Sequence, residues 1–305
     1  MLFSCPVHKV KLDERLFCSQ CGVVYPSING VPILLNDKNS VFQVSDYTDS
    51  AVAYEGASGY AGHLDRRTGL RNIYRMLMHY ISESRPVGGD FNSKDAIDLI
   101  NQDMPNALIL VIGAGDTSYT GNIMYTDVAF GSKVNCIADA HDLPFEDLTF
   151  DACVAVAVLE HVADPQRCVA EIQRVLKPQG FIFSETPFLQ PVHMGAHDFT
   201  RFTFIGHRRL FRYFDEIQSG IAGGPAASAA KIMCGLLVAL TDRPFLKKLL
   251  RMLGLLLAYP LRMLDHLTKR KSTAYDSAAG FYFFGRLRSA PISDRAMINY
   301  YNERR

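Results

Sequence analysis

The sequence predicts an α/β fold built on a doubly wound parallel sheet, and two observations carry that prediction. From residue 107 to residue 184 short apolar runs alternate with helical patterns, the layout of successive βα units. The first run, residues 107–112, ends in Gly113-x-Gly115, and the second, residues 122–127, ends in an acid, Asp127. In such a sheet ligands bind outside the carboxyl ends of the strands, so the residues at those ends converge in space.

The chain has 305 residues, enough for one large domain and a small one. A hydrophobic content of 48% fills a sizeable core, and a formal net charge of +1 gives no global electrostatic case for nucleic acid. Seven cysteines, three of them in one N-terminal cluster, favour a reduced compartment and a metal over disulfides. The first residues lack the pattern of a secretory signal, because Cys5 and His8 interrupt it. No run of about 18 uncharged apolar residues is present, so no spanning helix is expected. A cytoplasmic location follows, with the inner face of the membrane as a peripheral option.

Three divisions are expected: a metal-binding segment over 1–38, a linker and helical cap over 39–105, and the main domain over 106–305. In the first, Cys5 and His8 form one ligand pair and Cys18 and Cys21 another, nine residues further on. Two knuckles of this kind can place four N/S ligands tetrahedrally around zinc, and Gly22 allows the tight turn a knuckle needs. Asn29 and Gly30 read as a turn between short extended runs. The segment resembles the zinc ribbon of the small tRNA-methyltransferase activator proteins, with His8 where that family usually has Cys. The alternative is a degenerate ribbon held by its own small core.

In the linker, residues 54–62 have a loop composition, and residues 64–84 carry Leu70, Ile73, Leu77, Met78 and Ile81 at helical spacing. Arg66, Arg67, Arg71 and Arg75 lie largely on the other face, as a solvated surface or a patch for an anionic substrate. Ser93 is the expected cap of a second helix over 94–103.

The main domain then follows in order. A third strand is expected over 134–138, ending at Asp139 and followed by Ala140, His141, Leu143 and Phe145. Asp151 precedes a fourth strand over 153–158, which ends at Glu160 and His161. Asp164 caps a helix over 165–176 with Pro165 at its first position, and a fifth strand follows over 181–184. Taken in this order, the motifs resemble the class I S-adenosylmethionine-dependent methyltransferases, most closely their type-11 group.

That resemblance implies a Rossmann-like methyltransferase sheet and S-adenosylmethionine as cofactor. It places Gly113 and Gly115 beside the methionine part, Asp127 on the ribose hydroxyls, Asp139 and Ala140 on the adenine edge and Leu143 against the adenine ring. Asp151 is implied as a structural turn residue. The chain departs from the family where an acid normally precedes the first glycine, at Val111, and where a third glycine is usual, at Thr117, with Gly121 further on. Asp116 is a candidate substitute for the missing acid.

The sulfonium is already an activated methyl donor, so the protein need only align the attack and, for a hydroxyl acceptor, supply a base. His193 and His197, near Asp198 and Arg201, sit where family members line the acceptor pocket; His161 competes with them. A structural cluster is the plain alternative. A metal held by His193, His197 and Asp198 is a remote one.

Residues 211–218 and 280–287 read as the last two strands, with a helical insertion over 225–272 between them. Residues 231–271 hold nine Lys or Arg against Asp242 and Asp265, a local net of +7. Leucines fill most of the remaining surface, and Pro260 is expected to end or kink the helix. A basic, apolar helix of this kind suits an anionic membrane surface; packing on the core or in a homodimer is the alternative. The whole layout looks like bacterial methyltransferases of surface-glycan biosynthesis, which implies O-methylation of a sugar as the glycan or small-molecule acceptor. An rRNA base methyltransferase and a non-catalytic scaffold of the same fold are the rivals.

Overall fold

A computed structural model of the chain describes residues 2–49, 91–115 and 117–303. The expected loop over 54–62, the arginine-bearing helix over 64–84 and Asp116 fall outside the described residues.

Among the described residues nine strands form one sheet: β1 (Ser27–Ile28), β2 (Val31–Leu34), β3 (Leu108–Ile112), β4 (Asn122–Asp127), β5 (Cys136–Ala138), β6 (Phe150–Val156), β7 (Leu176–Pro187), β8 (Phe214–Gly223) and β9 (Gly280–Leu287). Their spatial order is β1-β2-β5-β4-β3-β6-β7-β9-β8. From β2 to β7 every pairing is parallel; β9 runs antiparallel between β7 and β8. The carboxyl ends of β3, β4, β5, β6 and β7 therefore share one edge.

The sheet is covered on both faces because its strands are apolar on both. Ile109 and Val111 of β3 join one core with Ile97 and Ile100 of a helix over Ser93–Asp103, while Leu110 and Ile112 join another with Val169 and Ile172 of a helix over Pro165–Val175. The alternation is the period of two of a β-strand. Asp151 is structural: its carboxylate accepts from the Leu108 N–H at 2.9 Å and from Lys177 Nζ at 2.9 Å, tying the starts of β3 and β6 together.

Several boundaries differ from the sequence expectation. Asn92 rather than Ser93 caps the helix over Ser93–Asp103, accepting from the N–H groups of Lys94 and Asp95 while Asp95 returns a bond to the Asn92 N–H. Residues 211–213 are a turn, not strand, because a short helix over Phe204–Leu210 precedes them and β8 starts only at Phe214. The insertion contains two long helices, Pro225–Ala239 and Pro244–Arg262, and Pro260 lies inside the last turn of the second without ending it. Asp265 is buried and caps the first of these helices, accepting from the N–H groups of Ala226 at 2.8 Å and Ala227 at 3.0 Å.

The N-terminal segment is not a detached module. Asn29 and Gly30 take φ of 52° and 81°, the left-handed pair of a tight hairpin turn, and hand the chain to β2. β2 then pairs parallel with β5, Ile33 opposite Ile137 and Leu34 opposite Ala138. Its small core of Leu12, Leu16, Tyr25 and Leu34 is continuous with Cys136 and Ala138 of the sheet. Lys9 reaches across to Glu171 at 2.9 Å and to the Leu143 carbonyl at 3.3 Å.

His207 is fully buried under the sheet, with Nε2 3.2 Å from Ser184 Oγ. Burial, reinforced by the neighbouring Arg208, pushes its pKa down to about 3. The unfolded chain therefore takes up a proton below about pH 6.5 that the folded chain refuses, and the stability held above that pH is lost as the pH falls towards 3. His207→Gln keeps a hydrogen-bonding side chain without the titration. The difference in urea stability between wild type and this variant is expected to shift against the wild type by up to about 1.4 kcal/mol per pH unit between pH 6 and pH 4. A pH-independent difference would show that His207 does not titrate this way.

Candidate functional site

The shared carboxyl edge opens into a cleft of about 800 Å³, counting the part open to solvent. Ile112, Gly113, Asp127, Val128, Asp139, Ala140, Val158, His161 and His197 line it, with Phe42 contributed by the N-terminal segment.

Gly113 takes a φ of 63°, and a Cβ built there would stand 2.4 Å from Val158 Cγ2, so only glycine lets the chain turn out of β3 this close to β6. Gly115 follows with a φ of 52°, and its N–H donates to Asp127 Oδ2 at 2.8 Å. Asp127 is buried at the end of β4, and its other oxygen accepts from the Ala129 N–H at 2.9 Å. The carboxylate is thus aimed by backbone before any ligand arrives.

Asp139 ends β5 and caps a single helical turn over Ala140–Asp142. Its Oδ1 accepts from the His141 N–H at 2.9 Å and from His141 Nδ1 at 2.6 Å, and its Oδ2 accepts from Ser40 Oγ at 2.5 Å. Burial opposes ionisation here, but the bonds from His141 and Ser40 outweigh it and hold the carboxyl below its ordinary value. The tautomer of His141 is fixed: Nε2 accepts from the Asp164 N–H at 3.0 Å, so Nδ1 carries the proton given to Asp139. Leu143 does not line the cleft. It is fully buried in the core behind it, so contact with an adenine ring, expected from the resemblance, is corrected. Phe42 and Val128 are among its apolar walls, with Ile112, Val158 and Val162; nothing in the sequence around Phe42 marked it, because it arrives through the pairing of β2 with β5.

The three candidate histidines separate into a pair and an outlier. His161 Nε2 lies 3.0 Å from His193 Nε2, and His161 Nδ1 donates to the carbonyl oxygen of His197 at 2.7 Å. The ring of His197 stacks on Phe42, 5.6 Å between centroids, and takes no part in the pair. Nor does it join Asp198. That carboxylate accepts from the His193 N–H at 2.8 Å and makes a two-pronged ion pair with Arg201. The ligand set of His193, His197 and Asp198 is therefore not assembled. Burial lowers the pKa of both His161 and His193, so both are neutral bases at pH 7.

Beside the pair sits a residue that sequence reasoning passed over as part of a strand end. Glu160 is fully buried, its Oε1 3.6 Å from His161 Nε2 and 3.7 Å from His193 Nε2. Burial pushes its carboxyl up to about 8. Its carbonyl accepts from the N–H groups of Phe199 and Thr200, which pins the loop after β7 over the end of β6.

At the N-terminus the four ligand candidates come together. Cys5 Sγ is 3.6 Å from His8 Nδ1 and 4.0 Å from Cys21 Sγ, and Cys18 Sγ is 3.9 Å from His8 Nδ1. Ligand atoms around a tetrahedral zinc with bonds near 2.3 Å stand about 3.8 Å apart. The His8 N–H also points at Cys5 Sγ, 3.4 Å away, as knuckle backbones do.

Residues 123–184 match the family model described as a methyltransferase domain. A stretch of 61 residues, 20% of this chain and 18% of that protein, is 36% identical to a sterol 4-C-methyltransferase of Caenorhabditis elegans. Over 173 residues, 56% of each chain, it is 27% identical to the chloroplastic 2-phytyl-1,4-beta-naphthoquinone methyltransferase of Arabidopsis thaliana. Among solved structures, phosphoethanolamine N-methyltransferase 2 of Haemonchus contortus superposes with a TM-score of 0.43 at 12% identity, over 82% of this chain and 61% of that one. The chain thus spans less than two thirds of the length of each of these relatives. With the sheet order and the family match together, the fold is a Rossmann-like α/β sheet of the methyltransferase type.

Proposed function

We propose that the protein is an S-adenosylmethionine-dependent methyltransferase that acts on a hydroxyl, with a sugar of a surface glycan as the acceptor class. The observation that carries the reading is the convergence of Gly113, Asp127 and Asp139 on one cleft, the two acids within the stretch that bears the family match. The residues fit the cofactor. The turn at Gly113 allows close backbone approach, Asp127 would hold the ribose diol, and Asp139 with the Ala140 N–H would hold the adenine edge. When bound, the cofactor supplies an electrophilic methyl group.

The chain's own share is alignment and proton removal. The loop after β7, pinned by Glu160, holds His193 against His161 at the end of β6. A neutral imidazole there accepts the acceptor's proton as the hydroxyl oxygen becomes bonded to carbon. The preference for a sugar over RNA follows from the layout of the chain and from its net charge of +1, without a basic, aromatic-interleaved stripe. The test is transfer of labelled methyl groups to fractionated cell extract. Label in glycolipid supports the sugar; label in RNA moves the acceptor; no cofactor binding at all moves the protein to the scaffold reading. Asp139→Ala is expected to weaken S-adenosylmethionine binding by about 1–3 kcal/mol in calorimetry, the scale of a lost bond to a charged group. Unchanged affinity in the folded variant would remove Asp139 from the cofactor site.

The same proposal includes one structural zinc at Cys5, His8, Cys18 and Cys21, which form one ligand group in the structure. Elemental analysis should find that the Cys18→Ser, Cys21→Ser double variant loses about one zinc per chain. Equal zinc in both proteins would mark the ribbon as degenerate.

Peripheral membrane contact belongs to this reading as well. Phe245, Leu249, Met252, Leu253 and Leu256 are exposed along one face of the helix over Pro244–Arg262, with Lys247, Lys248 and Arg251 beside them. No described helix is long and apolar enough to cross a membrane. Such a face suits the interfacial plane of an anionic bilayer. Co-sedimentation with phosphatidylglycerol vesicles is expected, weakened by high salt and by Phe245→Asp. Dimerisation without vesicle binding would assign the face to a second copy of the chain.

A further inference from the structure

The carbonyl of Glu160 pins the loop after β7, but its side chain has no part in the methyl-transfer reading. Both of its carboxyl oxygens are buried without a hydrogen-bond partner, although buried polar groups are almost always paired. It faces two imidazole nitrogens across less than 4 Å.

We propose that Glu160, His161 and His193 form a binding site for a divalent transition-metal ion, of the class of zinc or manganese, held by Glu160 Oε1 and the Nε2 atoms of the two histidines. Two imidazoles and one carboxylate are a donor set for such ions rather than for calcium or magnesium, which favour oxygen alone. The separations are right. With edges of 3.0, 3.6 and 3.7 Å, the three donor atoms leave a central point about 2.0 Å from each, the length of a metal bond to nitrogen or carboxylate oxygen. The outer contacts are those of metal-binding histidines. His161 Nδ1 is fixed by the His197 carbonyl, which turns Nε2 towards the ion; His193 Nδ1 lies 3.5 Å from Asp198 Oδ2 and 3.3 Å from Arg201 Nη2, so a metal-bound His193 would turn its Nδ1–H to the carboxylate. The two histidines share one N–H···N bond, and neither Glu160 carboxyl oxygen has a hydrogen-bond partner among the described residues; an ion between them would satisfy all three.

His161 also lines the cleft, so an ion held here would lie at its edge. There the ion would hold the acceptor hydroxyl, a role that rests on the methyl-transfer reading, whereas binding of the ion does not; with both Nε2 atoms bound to it, the ion takes the place of the imidazole base in that reading. Coordination lowers the pKa of the hydroxyl and its proton passes to water. The oxygen then forms the new O–C bond, and the S–C bond breaks with its electron pair left on sulfur.

The test titrates the full-length protein, with zinc retained in its ribbon, with Mn²⁺ and reads free Mn²⁺ by electron paramagnetic resonance. About one saturable Mn²⁺ per chain is expected, with affinity falling about tenfold or more in Glu160→Gln and in His193→Ala. Mn²⁺ should raise the thermal midpoint of the wild type but not that of Glu160→Gln, whose near-identical shape keeps the core filled. His161→Asn is the second variant should His193→Ala not fold. Absence of saturable Mn²⁺ binding and of Zn²⁺ binding beyond the ribbon, or binding unchanged in folded variants, overturns the site. Metal binding without methyl transfer to any fraction upholds the site and overturns the transferase reading. Transfer to a hydroxyl at an unchanged rate after the site's metal is removed overturns the role given to the ion.

Discussion

The parallel pairing of Val31–Leu34 with Cys136–Ala138 is the constraint on which the cleft depends. It fixes where the chain goes next, so Asn36, Ser40 and Phe42 arrive at the carboxyl edge of a sheet whose other parallel strands come from residues more than 60 positions later. Ser40 then donates to Asp139, and Asn36 and Asn39 donate to Asp142 at 2.9 and 3.1 Å. Asp142 in turn pairs with Arg167 at 2.7 Å. A connected set of charge-assisted bonds therefore runs from the N-terminal segment, through the turn after β5, to the helix after β6. Removing the partners of Asp139 or Asp142 leaves a buried carboxylate under-satisfied, which is the costly direction.

Much of the sheet was legible because its signals are local. The apolar runs, the glycine at the end of β3 and the acid at the end of β4 mark strands and their ends within a few residues, and Asp164 with Pro165 marks a helix start. The short helix over Phe204–Leu210 was missed because its seven residues carry three consecutive basic or imidazole side chains, His207, Arg208 and Arg209, of which the first two are buried. No surface-and-core pattern remains in so short a segment when a buried Arg208 is paid for by the carbonyls of Phe211 and Phe214 and by Glu216.

The site was legible by type and not by arrangement. The chain order placed His161, His193 and His197 near one another, but which two meet depends on the left-handed turn at Met194, with a φ of 62°, and on Glu160 anchoring the following loop. Leu143 illustrates the opposite error. Its place in the motif put it beside the cleft, while the helical turn at Ala140–Asp142 rotates it into the core. The role of Phe42 is a property of long-range topology, which spacing along the chain does not record.

The β1–β2 hairpin has one more consequence, for how the protein behaves among its neighbours. β5 is buried along its whole length, and without β2 its outer row of N–H and C=O groups would be an open template for another chain. β2 covers that row, and β1 beyond it is only two residues long. A strand that short offers an incoming chain almost no ladder to extend. The N-terminal segment thus serves as a blunt end to the sheet, discouraging the edge-to-edge growth that leads to aggregation.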